Sequence, residues 1–177
     1  MVTSRTHVDH MYDEFREVAD YLKTEQQISM WLTADESFRK GLLVASASYF
    51  EMRVKEILLD YVRSEASGND RLVEFVRIKV TDRGYHGLFD WGAQNVNGFW
   101  RLFGDSFRSV MRDRVRNEDE LDEGIKAFLE LGNDRNRLVH DDFGVFTLEK
   151  TSEEIYNTYR KGLVFVENLP GLLRSET

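Results

Sequence analysis

The sequence predicts an all-α fold, a bundle of helices, on three observations. There is one proline, Pro170, in 177 residues; apolar residues recur at three- and four-residue intervals; and Thr33–Glu36 and Thr151–Glu154 have the Thr-x-x-Glu pattern that opens helices. Met11, Phe15, Val18 and Leu22 mark a first helix over residues 4–24. The segment TADESFRKGLLVASASYFEMRVKEILLDYVRSE is the clearest element, with Phe50, Val54, Ile57, Leu58 and Tyr61 forming an apolar stripe behind the Thr33 cap. A shorter helix follows over 70–80, and the glycine-rich TDRGYHGLFDWGAQN reads as a loop. Asn95 and Asp105 are candidate caps for two short helices, NGFWRLF and SFRSVMRDRVR. Residues 118–140 form the next long helix through Leu121, Ile125, Phe128, Leu129 and Leu138, with Gly132 as a weak point in its interior. DDFGVF breaks that pattern, and the short VFTL is not enough to predict a strand. The last helix opens at Thr151, runs through Ile155, Tyr159, Leu163 and Val166, and is expected to end at Asn168 and Pro170.

Length and composition narrow the possibilities. A chain of 177 residues without a Pro/Gly/Ser-rich linker is expected to be one domain, residues 1–177, with a sizeable core. The lack of cysteine excludes disulfides and thiolate chemistry and is compatible with a reducing cytoplasm, the expected location. MVTSRTHVDHMYDEF has no signal-peptide core, and no apolar run approaches the roughly 20 residues that span a bilayer, so no membrane association is expected. A net charge of -8 argues against a general nucleic-acid coat protein while leaving room for a local basic site.

The stretch RNRLVH, Arg135–His140, joins a permanent planar cation to one of only four histidines, just where a long helix gives way to a turn. Arginine matches phosphate oxygens and histidine exchanges protons near neutral pH, which together are what RNA cleavage needs without a metal. Spacing alone does not establish a site, since RTHVDH, Arg5–His10, has the same one. On an ideal helix Arg135 and His140 diverge by about 140°, whereas Asn136 and Arg137 share the His140 face. Either the helix loosens near its end or the constellation is completed by a second copy. Cations complementing the negative end of a helix dipole are the plainer alternative.

RNRLVH resembles the Arg-Asn followed four residues later by His that marks the HEPN superfamily of all-α, usually dimeric domains. ASASYFEMRVKEILLDYV is similar to its early long helix with a Phe-Glu pair, and NVNGFWRLFGDSF to the mid-domain segment of the RiboL-PSP-type HEPN branch. Three segments in the correct order, covering most of residues 38–165, imply a HEPN-like bundle with additional short helices. They further imply a metal-independent endoribonuclease, needing no cofactor, of the kind found in toxin-antitoxin and antiphage defence. Arg135 and His140 match the catalytic pair, and Asn136 matches the polar residue after the Arg. RNA as substrate, a homodimer with two motifs facing a shared cleft, and an antitoxin or defence-system partner are the implied associations. Where some HEPN toxins carry a modifiable tyrosine two residues after the His, this chain has Asp142, so control by nucleotidyl transfer is not expected. Asp141 and Asp142 also bring negative charge beside the motif. A noncatalytic HEPN-like module that binds RNA or protein is the rival expectation.

Further residues could contribute. Arg137, with Arg112, Arg114 and Arg116 in DSFRSVMRDRVR, are candidate RNA-backbone contacts, joined by Arg108, although a solvated face is the plainer and favoured reading of that run. Glu51 could hydrogen-bond the arginine motif or pair with Lys55 four residues on. His7, Asp9 and His10 do not make a closed metal site on one terminal helix, so no metal is expected there. Trp91, Phe99, Trp100 and Phe103 are expected in the core or a dimer interface rather than stacked on bases.

Overall fold

The predicted periodicities become seven α-helices among the described residues, 5–140 and 146–175, of a computed structural model. They are α1 (His7–Thr24), α2 (Ile28–Glu65), α3 (Asp70–Val76), α4 (Asn97–Arg101), α5 (Asp105–Asn117), α6 (Asp119–His140) and α7 (Ser152–Leu173). A π-helix (Arg77–Asp82) continues α3, and a 3-10 turn (Tyr85–Gly87) lies between it and α4. No strand occurs among the described residues, and VFTL has none over its described part, Phe146–Leu148. The fold is an all-α bundle with additional short helices, as the sequence predicts.

The core sits where α2, α6 and α7 meet. Phe50 from α2 packs against Phe128 of α6 at 5.5 Å and Tyr159 of α7 at 5.2 Å, and Phe128 meets Phe165 at 5.1 Å, measured between ring centroids. These rings need α6 and α7 close together. At Gly162 a β-carbon would stand 2.9 Å from the Phe50 ring and 3.1 Å from the Phe128 amide nitrogen, so only glycine fits without a shift.

Helix α1 is latched to α7 by a buried polar cluster. Thr6 and Asp9 form a capping box, the Tyr156 hydroxyl donates to Asp9 at 2.7 Å, and Arg160 reaches the same carboxylate at 3.1 Å. The Thr6 and Tyr159 hydroxyls share a further bond of 2.7 Å. Burial pushes the Asp9 carboxyl up, but the Thr6 amide, the Tyr156 and Thr6 hydroxyls and the Arg160 charge outweigh it and hold the group below its ordinary range. Asp9 is therefore committed to holding α1 against α7.

Several boundaries differ from those the sequence predicts. Helix α2 begins five residues before Thr33, whose hydroxyl instead bonds back to the Ser29 carbonyl at 3.1 Å inside the helix. After α1 the chain turns through Gln26, at φ 56°, and enters α2 without a side-chain cap; extending an existing helix is easier than nucleating one, so the Thr33 signal is overrun. Helix α7 passes through Asn168 and Pro170 to Leu173. A proline inside a helix costs about 3 kcal/mol, and burying Leu169, Leu172 and Leu173, each contributing about 1.5–3 kcal/mol, offsets it. Gly104 rather than Asp105 caps α5, and Val96 rather than Asn95 precedes α4, although the Asn95 side chain accepts from the Asn97 amide at 3.1 Å. The Thr151–Glu154 capping box opens α7 as its sequence predicts.

Candidate functional site

Gly132, one turn ahead of Arg135, decides what can lie against α6. A β-carbon there would fall 2.1 Å from two carbons of the Trp91 indole, which occupies the space a side chain would need. Trp91 also packs against Phe89 and Phe128, and its indole N–H donates to the His86 carbonyl at 3.0 Å. The glycine that sequence alone marks as a weak point is thus a seat for the segment Tyr85–Trp91, part of the glycine-rich stretch. Of the other aromatics named, Phe99 and Trp100 are buried and Phe103 is partly buried against the core, which is the expected role.

A narrow cleft with about 20 Å³ of free space opens beside this contact. Glu51 enters it from α2, Tyr85, His86 and Trp91 from the segment after the π-helix, and Arg135 and Asn136 from α6. Apolar side chains, Phe50 and Phe128 among them, form the floor. The Arg135 guanidinium donates to the Asn136 side-chain oxygen at 3.2 Å, so two consecutive motif residues are held together at the rim. Of the two readings of Glu51, the ion pair is the one that forms: it bonds Lys55 at 2.6 Å while lining the cleft. The Lys55 ammonium lies 5.5 Å from the centre of the Tyr85 ring, within cation–π range. Burial, then the Glu51 carboxylate, push the Tyr85 phenol well above its ordinary value, while Arg135 pulls the other way. Tyr85 is therefore a neutral wall rather than a proton source at physiological pH.

His140 stands elsewhere. It is the last residue of α6, exposed, and not among the residues lining the cleft. The helix stays α-helical to that point, so the first of the two alternatives, a loosened helix end, does not occur and Arg135 and His140 leave α6 about 140° apart. Arg137 is exposed with its guanidinium 5.7 Å from the Phe146 ring centre, outside the cleft. Asp141 and Asp142, and most of the turn read from DDFGVF, lie outside the described residues.

The segment that follows is tied back beside the motif. Lys150 binds both Glu130 and Asp134, and Arg39 donates to the carbonyls of Leu148 and Lys150 at 2.8 and 3.2 Å. Burial pushes the Lys150 ammonium down, but its bonds to Asp134 and Glu130 prevail and raise it. The α5 arginines keep acidic company: Arg108 and Asp105 at 4.0 Å, Arg112 and Arg116 each 3.7 Å from Asp113, and Arg114 with Glu118 at 2.8 Å. Arg114 and Arg116 adjoin the start of α6, roughly 30 Å of helical rise from His140.

Tyr85, His86 and Trp91 are the cleft residues that sequence reasoning missed as site residues. Their signal was faint, three chemically useful side chains within a glycine-rich stretch, and the Trp91–Gly132 contact is what brings the segment to Arg135. Among the described residues no helix is long and apolar enough to cross a membrane. No curated protein and no solved structure matches the chain. The family model described as RiboL-PSP-HEPN matches residues 9–175, nearly the full length and all seven helices in part or whole. With that match over a helical bundle whose α6 carries Arg135 and Asn136 into a cleft, the chain belongs to the RiboL-PSP-HEPN family.

Proposed function

We propose that this protein is a metal-independent endoribonuclease of the HEPN type, acting as a bacterial toxin or antiphage-defence effector. The observation that carries the reading is the half-buried Arg135, bonded to Asn136 at the rim of a cleft walled by aromatic rings, with His140 five residues on. Arg135 would neutralise charge on the pentacoordinate phosphorus, Asn136 would orient that guanidinium, and His140 would exchange a proton with the ribose 2'-hydroxyl or the leaving 5'-oxygen. Attack by the 2'-hydroxyl leaves a 2',3'-cyclic phosphate and a 5'-hydroxyl. The divergence of Arg135 and His140 on α6 supports a homodimer in which His140 of one copy approaches the cleft of the other. An antitoxin or defence-system protein would then restrain or trigger the dimer.

The test is incubation of total RNA with the purified protein in EDTA, comparing wild type with His140→Ala and checking product ends. Cleavage to cyclic phosphate by wild type alone supports the enzyme; equal cleavage by both refutes His140 as a catalytic residue. The same divergence favours a second reading, a noncatalytic RNA- or protein-binding module serving as sensor or regulatory subunit. That reading predicts no cleavage by either protein.

A further inference from the structure

Cleavage by 2'-hydroxyl attack moves two protons, and the cleft that holds Arg135 contains an imidazole outside the RNRLVH motif. His86 lines this cleft together with Arg135 and Asn136, whereas His140 does not. Its backbone is held on both sides. Tyr85 is 5 % exposed and packs its ring edge-on against the His86 ring at 5.6 Å, and Trp91, wedged over Gly132, donates to the His86 carbonyl at 3.0 Å. The imidazole itself is exposed and, among the described residues, has no hydrogen-bond or ion-pair partner. An anchored backbone with an uncommitted imidazole, in the same cleft as an arginine, suits a residue that exchanges protons with a bound phosphodiester. The other charged or titratable groups lining the cleft are already engaged: Glu51 with Lys55, Tyr85 by burial, and Arg135 with Asn136.

We propose that His86 is the second proton-transfer group of the Arg135 cleft, working with His140 on opposite sides of the scissile phosphate. This rests on the endoribonuclease reading and adds to it a residue that the motif lacks. As the O2'–P bond forms, one imidazole takes the 2'-hydroxyl proton; as the P–O5' bond breaks, the other, entering as imidazolium, gives its proton to the leaving oxygen. Charge and protons balance, and the pair ends with exchanged protonation states that water resets.

The experiment uses an oligoribonucleotide spanning a phosphodiester that the wild type cleaves in total RNA, made with oxygen or with a bridging 5'-sulfur at that position. On the oxygen substrate, His86→Gln should lower kcat by about 10²–10⁴-fold, with KM little changed, and remove one limb of the bell-shaped pH–rate profile. A thiolate leaves without a proton, so the sulfur substrate should rescue one of His86→Gln and His140→Gln and not the other. Circular dichroism of His86→Gln should match the wild type, as its side chain is exposed. Wild-type kcat and an intact bell in His86→Gln, alongside an inactive His140→Gln, would overturn this inference and leave the ribonuclease reading standing. Rescue of both variants or of neither would also overturn it, and failure of the wild type to cleave would overturn the two together.

Discussion

Gly132→Ala separates local propensity from tertiary packing. By propensity alone, replacing an interior helical glycine with alanine stabilises by about 1 kcal/mol. The structure predicts the opposite sign. The new methyl would lie 2.1 Å from Trp91 Cε3 and Cζ3 and 3.1 Å from Cδ2, where ordinary contact begins near 3.4 Å, so the indole must retreat by more than about 1 Å. It cannot do so freely, because it packs on Tyr85, Phe89 and Phe128 and its N–H holds the His86 carbonyl. Overpacking costs about 1–3 kcal/mol and loss of that hydrogen bond about 1 kcal/mol, against the 1 kcal/mol gained. The net expectation is a loss of about 1–3 kcal/mol. Urea unfolding followed by helical circular dichroism measures it, and a double-mutant cycle with Trp91→Leu isolates the cause. In the Trp91→Leu background, Gly132→Ala should be neutral or stabilising. Stabilisation by Gly132→Ala in the wild-type background would refute the packing argument and, with it, the account of how the Tyr85–Trp91 segment is seated.

Three further outcomes are expected. Asp9→Asn should destabilise by about 2–3 kcal/mol near neutral pH, measured by thermal or urea unfolding, because it removes a charged acceptor from Tyr156 and Arg160. Since the folded-state Asp9 carboxyl is held below its unfolded value, its stabilisation is fully present above the unfolded value near pH 4 and is lost as pH falls through the folded one; the wild type should lose this contribution on acidification and Asp9→Asn should not. Gly162→Ala should cost about 1–3 kcal/mol through its clash with the Phe50 ring and the Phe128 backbone, and Phe50→Leu should reduce that cost in an unfolding cycle. Lys150→Ala, which frees Glu130 and Asp134, should cost about 1 kcal/mol at low salt and less at high salt, since the ammonium is only partly shielded.

Much of the fold was legible because helix formation is local. The stripe through Phe50, Val54 and Ile57, and the box at Thr151, act over one or two turns, and the structure follows them. The signals that misled were local ones overruled from a distance. Pro170 reads as a stop but is carried through by buried leucines, and Thr33 reads as a start but is reached by a helix already under way. The site was legible in one half. Arg135 and Asn136 could be placed on a helix near its end, and their divergence from His140 followed from helical geometry. The other half, Tyr85, His86 and Trp91, comes to the cleft through a contact between an indole and a glycine some forty positions apart, and no local pattern encodes such a meeting.

The latch between α1 and α7 has a kinetic consequence. Its bonds join residues 147, 151 and 153 positions apart, so they close nearly the longest loop the described chain can make. The entropy of bringing such distant segments together is compensated only after the α6–α7 core has formed, which makes the latch a late contact in folding. Interactions missing from the transition state change the rate of unfolding far more than the rate of folding. Asp9 and Tyr156 therefore govern how long a folded molecule lasts, while the aromatic core of α2, α6 and α7 governs how quickly one is made.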